Sequence, residues 1–509
     1  MVNSLVLGLG KSGVAAAAHL LEKGETLVLS DQRDRASLEA SPLWGALSAL
    51  EARYPGKVEW ALGGHPNELL ERCERVIVSP GASLHHPFLV EARRRGRPLV
   101  GEMELAWLAC PRPLIAVTGT NGKSTTCTVL GDILGARGVV GGNIGTPLLE
   151  LVEALPPTVD WVVAEVSSFQ LETVHEFHPR VAILTNITPD HLDHHKDLEE
   201  YHVAKSRMFA RMGESDVAIF CADDEGARRM AAELSGGALP QWLEGFPAPN
   251  RSPLPRILTY STRGSVADGA AFVVEDGQRW VTRFQGGVAE KLFPWDFPGL
   301  PGDHMESNGL AAVLGALEAG VPISEIQAGL RRFQPLHYRM ELSGEIDGVK
   351  FINDSKATNT ASALSSVRSF QGPLCAVVGG KDKGVDYAEL AQGLAQSGAR
   401  IYLIGEAADP IGRCLDGLGY ANVERSGRLE AALPAARRHL GSAGGTVLLA
   451  PACSSFDQFK SAEHRGEEFD RLVKELIGAT VTDGSANPRE QDGSLGQQAD
   501  MSMRGGASA

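Results

Sequence analysis

The strongest chemical signal in this sequence is a glycine-rich loop that contains a lysine, Thr118-Gly-Thr-Asn-Gly-Lys-Ser-Thr125. The loop follows a short apolar run that predicts a buried strand, and a helical pattern comes after it. A loop in this position directs backbone N–H groups at phosphate, and the lysine adds a positive charge. Helix capping alone would not explain this composition. We therefore expect a phosphate site, with Ser124 also able to hold Mg²⁺, at Gly119, Thr120, Asn121, Gly122, Lys123, Ser124 and Thr125.

A second glycine motif, Gly8-Leu-Gly10-Lys-Ser-Gly13, lies near the N-terminus between a predicted strand and a predicted helix. Asp31 ends the next strand, where it can accept a hydrogen bond from a ribose hydroxyl. Glycines in this arrangement let the backbone approach a diphosphate at a helix N-terminus. The residues alone leave NAD, another nucleotide diphosphate and a tight packing turn as alternatives.

Two polar positions in the middle of the chain are candidate magnesium ligands. Glu165 ends the apolar run Trp161-Val-Val-Ala, where an unpaired carboxylate would be costly unless it served a cation. His191 lies in a polar segment after another predicted strand. Both positions fall at the carboxyl edge of the predicted sheet, where open α/β sheets bind ligands.

The histidines and the lysine that follow receive a different interpretation. Zinc bound by His191, His194 and His195 is the rival to magnesium, but structural zinc needs four ligands, commonly cysteines, and no cysteine is near in sequence. We therefore expect His194 and His195 to face solvent. Lys205 lies in a helical pattern, which by itself predicts a surface lysine paired with Tyr201 or Glu200.

Polar loops in the last third of the chain repeat the strand-then-loop arrangement. The first loop carries Asp354, Lys356 and Thr358, and the second carries Lys383 within Gly379-Gly-Lys-Asp-Lys-Gly. These residues are candidate anion and phosphate contacts, with ordinary loop structure as the alternative. A third loop carries Ser454, Ser455 and Asp457, which are predicted to cap a helix that begins near Asp457.

The candidate loops each follow a predicted strand. They can come together only if those strands end at the same edge of a sheet. Short apolar runs alternate with helical patterns along the chain, which predicts an α/β fold with mainly parallel sheets. The length of 509 residues suggests about three domains. We expect a Rossmann-like domain at 1–101, a P-loop ATPase-like domain at 102–334 and a second Rossmann-like domain at 335–478. Alternating runs between residues 257 and 284 predict an antiparallel edge on the middle domain, and the polar composition of 479–509 predicts a disordered tail.

The composition limits the classes of partner. A net charge of −15 provides no basic face for nucleic acid. No apolar run reaches the ~18 residues that span a bilayer, and the N-terminus lacks the features of an export signal. The seven cysteines are scattered and never spaced as Cys-x-x-Cys, as expected for reduced thiols. We expect a cytoplasmic chain.

Taken together, the motifs resemble those of the Mur ligase family along the chain to about residue 478. The resemblance rests first on the glycine-rich loop at residues 118–125, called the phosphate loop below. It rests also on Glu165-Val-Ser-Ser-Phe-Gln-Leu-Glu172, Asn186 to His191, Ala204-Lys205, Asn353-Asp-Ser-Lys-Ala-Thr-Asn359 and Asp457-Gln-Phe-Lys460. Two of these stretches are similar to the branch that adds D-glutamate. The resemblance implies a ligase that joins D-glutamate to UDP-N-acetylmuramoyl-L-alanine through an acyl phosphate made from ATP, in the cytoplasmic stage of peptidoglycan synthesis. It implies small-molecule substrates, and we expect a monomer.

The resemblance also implies a role for each candidate residue. The UDP substrate would contact Gly10, Lys11, Ser12, Asp31, Arg33, Ser79, Pro80, Gly81 and Asn143. ATP would contact the phosphate loop, Asn308, Arg339 and Asp354, and the implied catalytic residues are Lys123, His191, Lys205 and Lys356. Two magnesium ions would be bound by Ser124, Glu165, His191 and Lys205, whose amine would carry a carbamate. D-glutamate would contact Thr358, Lys383, Ser455 and Phe456.

Three positions depart from the family pattern, and three rival functions remain. Met305 replaces an asparagine near the adenine contact, Tyr338 interrupts the approach to Arg339, and Ala462 replaces an aromatic residue expected beside the amino acid. The first rival is another Mur ligase or a folate polyglutamate ligase, although the latter would lack the N-terminal glycine domain. A nicotinamide-dependent dehydrogenase would leave the phosphate loop without a role. The third rival is a non-catalytic nucleotide-binding scaffold.

Overall fold

The fold is that of a computed structural model, which describes residues 2–191, 194–236, 254–300, 302–382 and 384–483. Within these residues the strands form three sheets of five, nine and six strands. Most neighbouring strands are parallel and helices connect them, which confirms the predicted α/β class. Among the described helices, none has the length and apolar character that a membrane crossing requires.

The N-terminal sheet is parallel throughout. Its strands are β1 (Val2–Leu7), β2 (Leu27–Asp31), β3 (Val58–Leu62), β4 (Cys73–Val78) and β5 (Leu99–Gly101). The accompanying helices are α1 (Lys11–Glu22), α2 (Arg35–Glu39), α3 (Trp44–Arg53), α4 (Leu69–Arg72) and α5 (Pro87–Arg94). The strand order is β3-β2-β1-β4-β5. Because the order reverses between β1 and β4, the loops after these two strands diverge and open a crevice.

The middle sheet is parallel except at one end. Its strands are β6 (Leu114–Thr118), β7 (Gly138–Gly142), β8 (Trp161–Glu165), β9 (Val181–Leu184), β10 (Val217–Cys221), β11 (Arg256–Ser261), β12 (Gly269–Glu275), β13 (Gln278–Gln285) and β14 (Val288–Pro294). The helices are α6 (Glu102–Ala109), α7 (Lys123–Leu134), α8 (Leu148–Glu153), α9 (Ser168–Leu171), α10 (Leu198–Ser206), α11 (Glu225–Ser235), α12 (Gly302–Glu318) and α13 (Ile323–Arg332). The order is β14-β13-β12-β11-β10-β9-β6-β8-β7. The pairs β12–β13 and β13–β14 are antiparallel, as predicted for this edge. The prediction is wrong for β11, which pairs in parallel with both β10 and β12.

The C-terminal sheet follows the order β15-β16-β20-β17-β18-β19, with β15 (Glu341–Ile346), β16 (Val349–Asn353), β17 (Leu374–Gly379), β18 (Arg400–Ile404), β19 (Val423–Gly427) and β20 (Gly445–Ala452). Its helices are α14 (Thr360–Arg368), α15 (Ala388–Ser397), α16 (Ala408–Gly417), α17 (Leu429–Leu440) and α18 (Ala462–Asp483). The predicted tail at 479–509 therefore starts inside α18. Residues 484–509 lie outside the described residues, where the tail stays a prediction.

The prediction that a helix begins near Asp457 is wrong, because α18 begins at Ala462. The Asp457 carboxylate instead accepts a hydrogen bond from the backbone N–H of Glu406, at 3.1 Å. Asp457 thus joins the loop after β20 to the loop after β18, and no helix needs it as a cap.

The apolar cores connect the domains unequally. One continuous core cluster contains Leu20 of α1, Met103 of α6 and Val117 of β6, and so joins the N-terminal and middle sheets. The C-terminal sheet has separate core clusters on its two faces. The first two domains are therefore held together by apolar packing, whereas the contacts from the C-terminal domain to the phosphate loop are polar.

Candidate active site

A cavity of about 1000 Å³ lies over the crevice between β1 and β4. It is lined by all the predicted UDP contacts except Arg33, namely Gly10, Lys11, Ser12, Asp31, Ser79, Pro80, Gly81 and Asn143. The middle domain closes one side with Pro147 and Gln170, and the C-terminal domain contributes Glu463. These last contributions, and those of His65, His85 and His86, were not predicted from the sequence. His65 follows the glycine pair after β3, a position at the same sheet edge that was available as a signal.

Arg33 is engaged with Asp31. Its guanidinium donates to the Asp31 carboxylate at 2.8 and 2.9 Å and to the Leu9 carbonyl at 3.1 Å. Burial opposes ionisation of Asp31, but the hydrogen bonds from Arg33 and from the backbone N–H of Leu9 outweigh it and lower the pKa to about 2. Asp31 is therefore an ionised carboxylate on the cavity wall. Arg33 does not line the cavity but holds Asp31 in place through its hydrogen bonds.

Gly13 shows why this loop needs glycine. A Cβ atom on Gly13 would lie 2.1 Å from the carbonyl oxygen of Gly8, which is backbone and has no room to move. Close approach of α1 to β1 therefore depends on this residue. The motif is a close-packed turn and also lines a cavity. The two earlier alternatives, a packing turn and a nucleotide site, therefore do not exclude each other.

The phosphate loop joins β6 to α7. The ammonium group of Lys123 donates hydrogen bonds to the carbonyl groups of Gly119 and Thr120, at 2.9 and 2.8 Å. Burial lowers the pKa of Lys123, whereas the nearby Glu165 and Asp190 carboxylates favour its charged form. Gly122 precedes α7 with φ +86°, and a Cβ there would lie 2.2 Å from Oδ1 of Asn308. Asn308 thus lies against the loop.

Glu165 lies at the junction between the cavity and the phosphate loop. The Asn143 side-chain amide lines the cavity and also donates to Oε1 of Glu165 at 2.8 Å. Glu165 is buried, and its Oε2 atom makes no hydrogen bond with any described residue. A buried carboxylate oxygen without a donor suits a cation ligand.

Lys205 is buried, so its interpretation as a surface lysine is wrong. Its amine donates to the Gly119 carbonyl at 2.9 Å and lies 4.4 Å from the centre of the Tyr201 ring. Burial, with the charge of Lys123 as a further cause, lowers the pKa of Lys205 well below its usual value. The helical position that sequence alone assigned to the surface instead faces the phosphate loop, because α10 packs across the carboxyl edge of the sheet.

The histidine segment also differs from its prediction. His191 has a left-handed backbone, with φ 57°, and its Nε2 atom lies 3.6 Å from the Asp190 carboxylate. The expectation that His194 and His195 face solvent is wrong: the His195 side chain is buried and that of His194 is 11% exposed. Each turns inward to a polar partner, Glu172 for His194 at 2.8 Å and Ser168 for His195 at 2.9 Å.

The C-terminal domain reaches the phosphate loop through the start of α14. The Asn359 side-chain amide donates to Oδ1 of Asn121 at 3.1 Å and to Asp190 at 3.0 Å. The Ser362 hydroxyl donates to the same Asn121 oxygen at 2.6 Å. Asn359 also caps α14 by accepting from the Ser362 backbone N–H at 2.8 Å. Asn359 and Ser362 were not predicted as contacts, because their partners are more than 160 residues away in the chain.

Asp354 and Lys356 lie on the loop after β16. Asp354 is buried, which raises its pKa, and it accepts a hydrogen bond from the Ser366 hydroxyl. The positive charge of Arg339 acts to lower the pKa of both Asp354 and Lys123. Lys356 pairs with Glu463; burial of Glu463 opposes its ionisation, but the hydrogen bond from Lys356 prevails and lowers the pKa of Glu463 to about 2.

The buried guanidinium of Arg465 fixes the loops that carry Thr358 and Ser455. It donates to the carbonyl groups of Ser355 and Cys453 at 2.9 and 3.1 Å. A further bond, from the Ala452 backbone N–H to the Ala357 carbonyl at 2.9 Å, joins the same loops. Ser455 is buried, the Phe456 side chain is 70% exposed, and Lys383 lies outside the described residues.

The three departures from the family pattern occupy distinct environments. Met305 packs against the large apolar core. Tyr338 has φ 62°, and its ring lies against Gly466 of α18, where an added Cβ would approach it to 2.5 Å. The Ala462 carbonyl accepts a hydrogen bond from the Ser355 hydroxyl at 2.7 Å, so Ala462 contributes its backbone to the loop network.

Comparison with known proteins covers all three domains. Sequence profiles match for the Mur ligase MurD-like N-terminal domain at residues 2–101, the Mur ligase middle domain at 117–316 and the Mur ligase glutamate ligase domain at 338–453. The chain is 38% identical to a UDP-N-acetylmuramoylalanine--D-glutamate ligase of Pelotomaculum thermopropionicum, over 93% of this chain and 97% of the relative. It is 40% identical to the protein of the same name from Anaeromyxobacter dehalogenans, over 92% and 97%.

Solved structures agree on the fold. A pseudomurein peptide ligase type C from Methanothermus fervidus aligns with a TM-score of 0.53 at 18% identity, over 94% of this chain and 100% of that one. MurF from Acinetobacter baumannii aligns with a TM-score of 0.54 at 16% identity, over 94% and 91%. Since full-length relatives share more than a third of their residues with this chain and its three domains match in order, the chain belongs to the Mur ligase family.

Proposed function

We propose that this chain is an ATP-dependent ligase that joins D-glutamate to UDP-N-acetylmuramoyl-L-alanine. The names of its full-length relatives state this activity. One structural observation carries the proposal: the Asn143 amide lines the cavity beside the N-terminal glycine motif and also bonds Glu165 next to the phosphate loop. The acid end of a UDP substrate and the terminal phosphate of ATP would therefore meet at Asn143.

The reaction needs an activated acid, because a carboxylate and an amine do not condense in water. In the proposed route a carboxylate oxygen of the UDP substrate attacks the γ-phosphorus of ATP, and ADP leaves. The neutral amine of D-glutamate then attacks the acyl carbon, phosphate leaves with the C–O electron pair, and the departing phosphate takes up the proton that the amine loses. Both steps concentrate negative charge, so positive groups and N–H donors must surround the transferred group. No protein nucleophile is required.

The phosphate loop supplies much of that environment. Residues 119–125 would hold the ATP phosphates, with Lys123 and Lys356 at the transferred group and Asn308 near the adenine. Arg339 and Asp354 would complete the nucleotide contacts from the C-terminal domain. The bonds that Lys123 makes to the Gly119 and Thr120 carbonyls support this assignment, because they hold the ammonium over the loop.

Magnesium fits the residues at the phosphate loop. Glu165 offers a buried oxygen without a donor among the described residues. Ser124 lies in the first turn of α7, and His191 lies between β9 and α10. When bound, magnesium would neutralise phosphate charge. Lys205 would supply a further anionic oxygen as a carbamate. Its burial and lowered pKa support this modification, because only an unprotonated amine reacts with carbon dioxide.

The two organic substrates would bind on opposite sides of this centre. The UDP part would contact Gly10, Lys11, Ser12, Asp31, Ser79, Pro80, Gly81 and Asn143, with Arg33 acting through Asp31. D-glutamate would contact Thr358, Lys383, Ser455 and Phe456, where the Arg465 network supports a shared pocket for the two loops. We further propose that the chain acts in the cytoplasm as a monomer.

Phosphate release with UDP-N-acetylmuramoyl-L-alanine and a panel of amino acids tests this function. D-glutamate should support release, whereas L-glutamate and D-aspartate should be poor, since each leaves a buried donor unpaired at a cost of about 1–3 kcal/mol. Lys123→Ala serves as the inactive control and should retain less than roughly a tenth of the activity. Faster release with L-alanine or a diamino acid would assign the chain to another branch, and ATP binding without amino-acid-dependent release would indicate a scaffold.

A further inference from the structure

A second cluster of ligand-type side chains lies outside the residues proposed to act on the substrates. Glu172 follows α9, and His194 and His195 lie in the segment before α10. One ligand atom from each residue lies within 4.8 Å of the other two. We propose that Glu172, His194 and His195 form a binding site for a divalent transition-metal ion, with zinc as its first candidate.

The separations suit a tetrahedral ion. The Nε2 atom of His194 lies 2.8 Å from one oxygen of Glu172, and the Nδ1 atom of His195 lies 3.7 Å from the other. Ligands 2.0–2.1 Å from zinc in a tetrahedron are about 3.4 Å apart, and the two observed distances bracket this value. Small rotations of the side chains would therefore bring all three onto one ion.

His195 provides an independent observation that points to a ligand. Its side chain is fully buried, yet its Nδ1 atom makes no hydrogen bond with the described residues. Its Nε2 atom is held by the Ser168 hydroxyl at 2.9 Å. This is how proteins orient a metal-binding histidine: one nitrogen is fixed by an outer partner, and the other is directed at the ion.

The surroundings favour a borderline-soft ion over magnesium. Two imidazoles and one carboxylate are ligands typical of zinc and its neighbours, whereas magnesium prefers oxygen. The Phe169 ring covers the cluster, with its centroid 4.2 Å from that of His194 and 5.6 Å from that of His195. Three protein ligands leave one position for water, which is the arrangement of an open zinc site.

The position of the cluster indicates what the ion would do. His194 and His195 are in the segment that begins at His191 and leads into α10, which carries Lys205. Glu172 and Ser168 belong to the segment after β8. An ion at the cluster would join these two segments and hold His191 and α10 in place. With three protein ligands and one open position the site is regulatory, and its occupancy is independent of whether the proposed ligase reaction is correct.

Equilibrium zinc binding to the full chain without a histidine tag tests the proposal, with a chromogenic chelator as competitor and magnesium in excess. We expect one zinc ion per chain and a higher melting temperature with zinc. His194→Gln and Glu172→Gln should each weaken zinc binding at least tenfold, and Ser168→Ala about tenfold. His439→Gln, which alters an exposed histidine on α17, should leave zinc binding unchanged.

Each outcome decides the proposal. Melting curves of the metal-free variants identify any variant that does not fold. Zinc binding by the variants that fold then tests the proposal. Zinc affinity unchanged in both His194→Gln and Glu172→Gln would overturn it, as would a wild-type chain that retains no zinc. Zinc retained in His194→Gln but lost in Glu165→Gln would assign the ion to the proposed magnesium site and would also overturn it.

Discussion

The amine of Lys205 is buried beside Lys123, and a second ammonium in that position would be repelled. A carbamate would replace this repulsion with a ligand for a cation. We expect Lys205→Ala to reduce phosphate release at least roughly 100-fold and added acetate to restore part of it. Lys474→Ala, on the exposed face of α18, is the matched control. Full activity of Lys205→Ala without acetate would show that the amine has no catalytic role.

Asp31 allows the two nucleotide sites to be separated experimentally. Asp31→Asn keeps an acceptor for the Leu9 N–H but loses the charge that pairs with Arg33. We expect affinity for the UDP substrate to fall about tenfold, since a charge-assisted hydrogen bond contributes roughly 1.5–3 kcal/mol, while ATP affinity stays the same. Calorimetry with each nucleotide measures both, and Glu39→Gln on α2 is the control. An equal loss of both affinities would contradict separate sites.

Side chains of the site were predictable where the signal is contiguous in sequence. Gly8 to Gly13 and Thr118 to Thr125 each carry their loop chemistry within a few residues, although the first motif alone could not separate NAD from UDP. Glu463 and Asn359 reach the site from distant segments, so no local pattern identifies them. His195 is buried and bonds Ser168, which lies 27 residues earlier in the chain, so its inward orientation has no local signal.

At the scale of elements, Glu102 at the start of α6 makes stability depend on pH. Its Oε1 atom accepts from the Leu149 N–H, while Oε2 is buried without a hydrogen bond from the described residues. Burial raises the pKa of Glu102 to about 7. The folded chain therefore binds this proton more tightly than the unfolded chain, and the stability it contributes is present below the unfolded pKa and is lost as pH rises through about 7.

We expect Glu102→Gln to stabilise the chain at pH 8 and to have little effect at pH 5. The amide resembles the protonated acid but does not ionise, and a pKa difference of this size corresponds to about 3 kcal/mol at most. Urea unfolding at both pH values measures the difference, with Glu214→Gln, an exposed residue in the loop before β10, as a control. A stabilisation that is the same at pH 5 and pH 8 would exclude ionisation of Glu102 as its cause.

Interior strands were predictable from their apolar runs, whereas the outermost strands β14 and β19 were not. β6, β8, β17 and β20 are buried nearly throughout, so composition identifies them. β14 begins with exposed Val-Ala-Glu-Lys, and β19 is only partly covered. Edge strands form because a neighbouring strand offers hydrogen-bond partners, and the residues of the edge strand itself do not reveal that neighbour. The predicted start of α18 was wrong for a similar reason: the Asp457 carboxylate binds the distant backbone N–H of Glu406 and does not cap a helix.

For the whole molecule, Asn359 provides a test of how the C-terminal domain meets the phosphate loop. Asn359→Asp keeps the oxygen that caps α14 but removes the donor to Asn121 and Asp190 and places a carboxylate against Asp190. Like charges at that distance repel. We expect a larger radius of gyration in solution scattering and a lower turnover, with the melting temperature of the domain itself preserved.

Asn422→Asp, in the loop before β19, gives the same change of charge away from the contact. It should alter neither scattering nor turnover. If Asn359→Asp also left both unchanged, the hydrogen bonds to Asn121 would have no part in holding the domains together.

The cavity wall formed by Glu463 has a consequence for synthesis of the protein. The five strands of the N-terminal sheet end at Gly101, so this sheet can form on the ribosome before the other two sheets have been translated. Glu463, in contrast, lies in α18 and is translated long after β5. A nascent chain would carry the glycine motif long before the cavity has its final wall. Under the proposed function, capture of the substrate with its full set of contacts is thereby deferred until the segment that carries Glu463 has been translated.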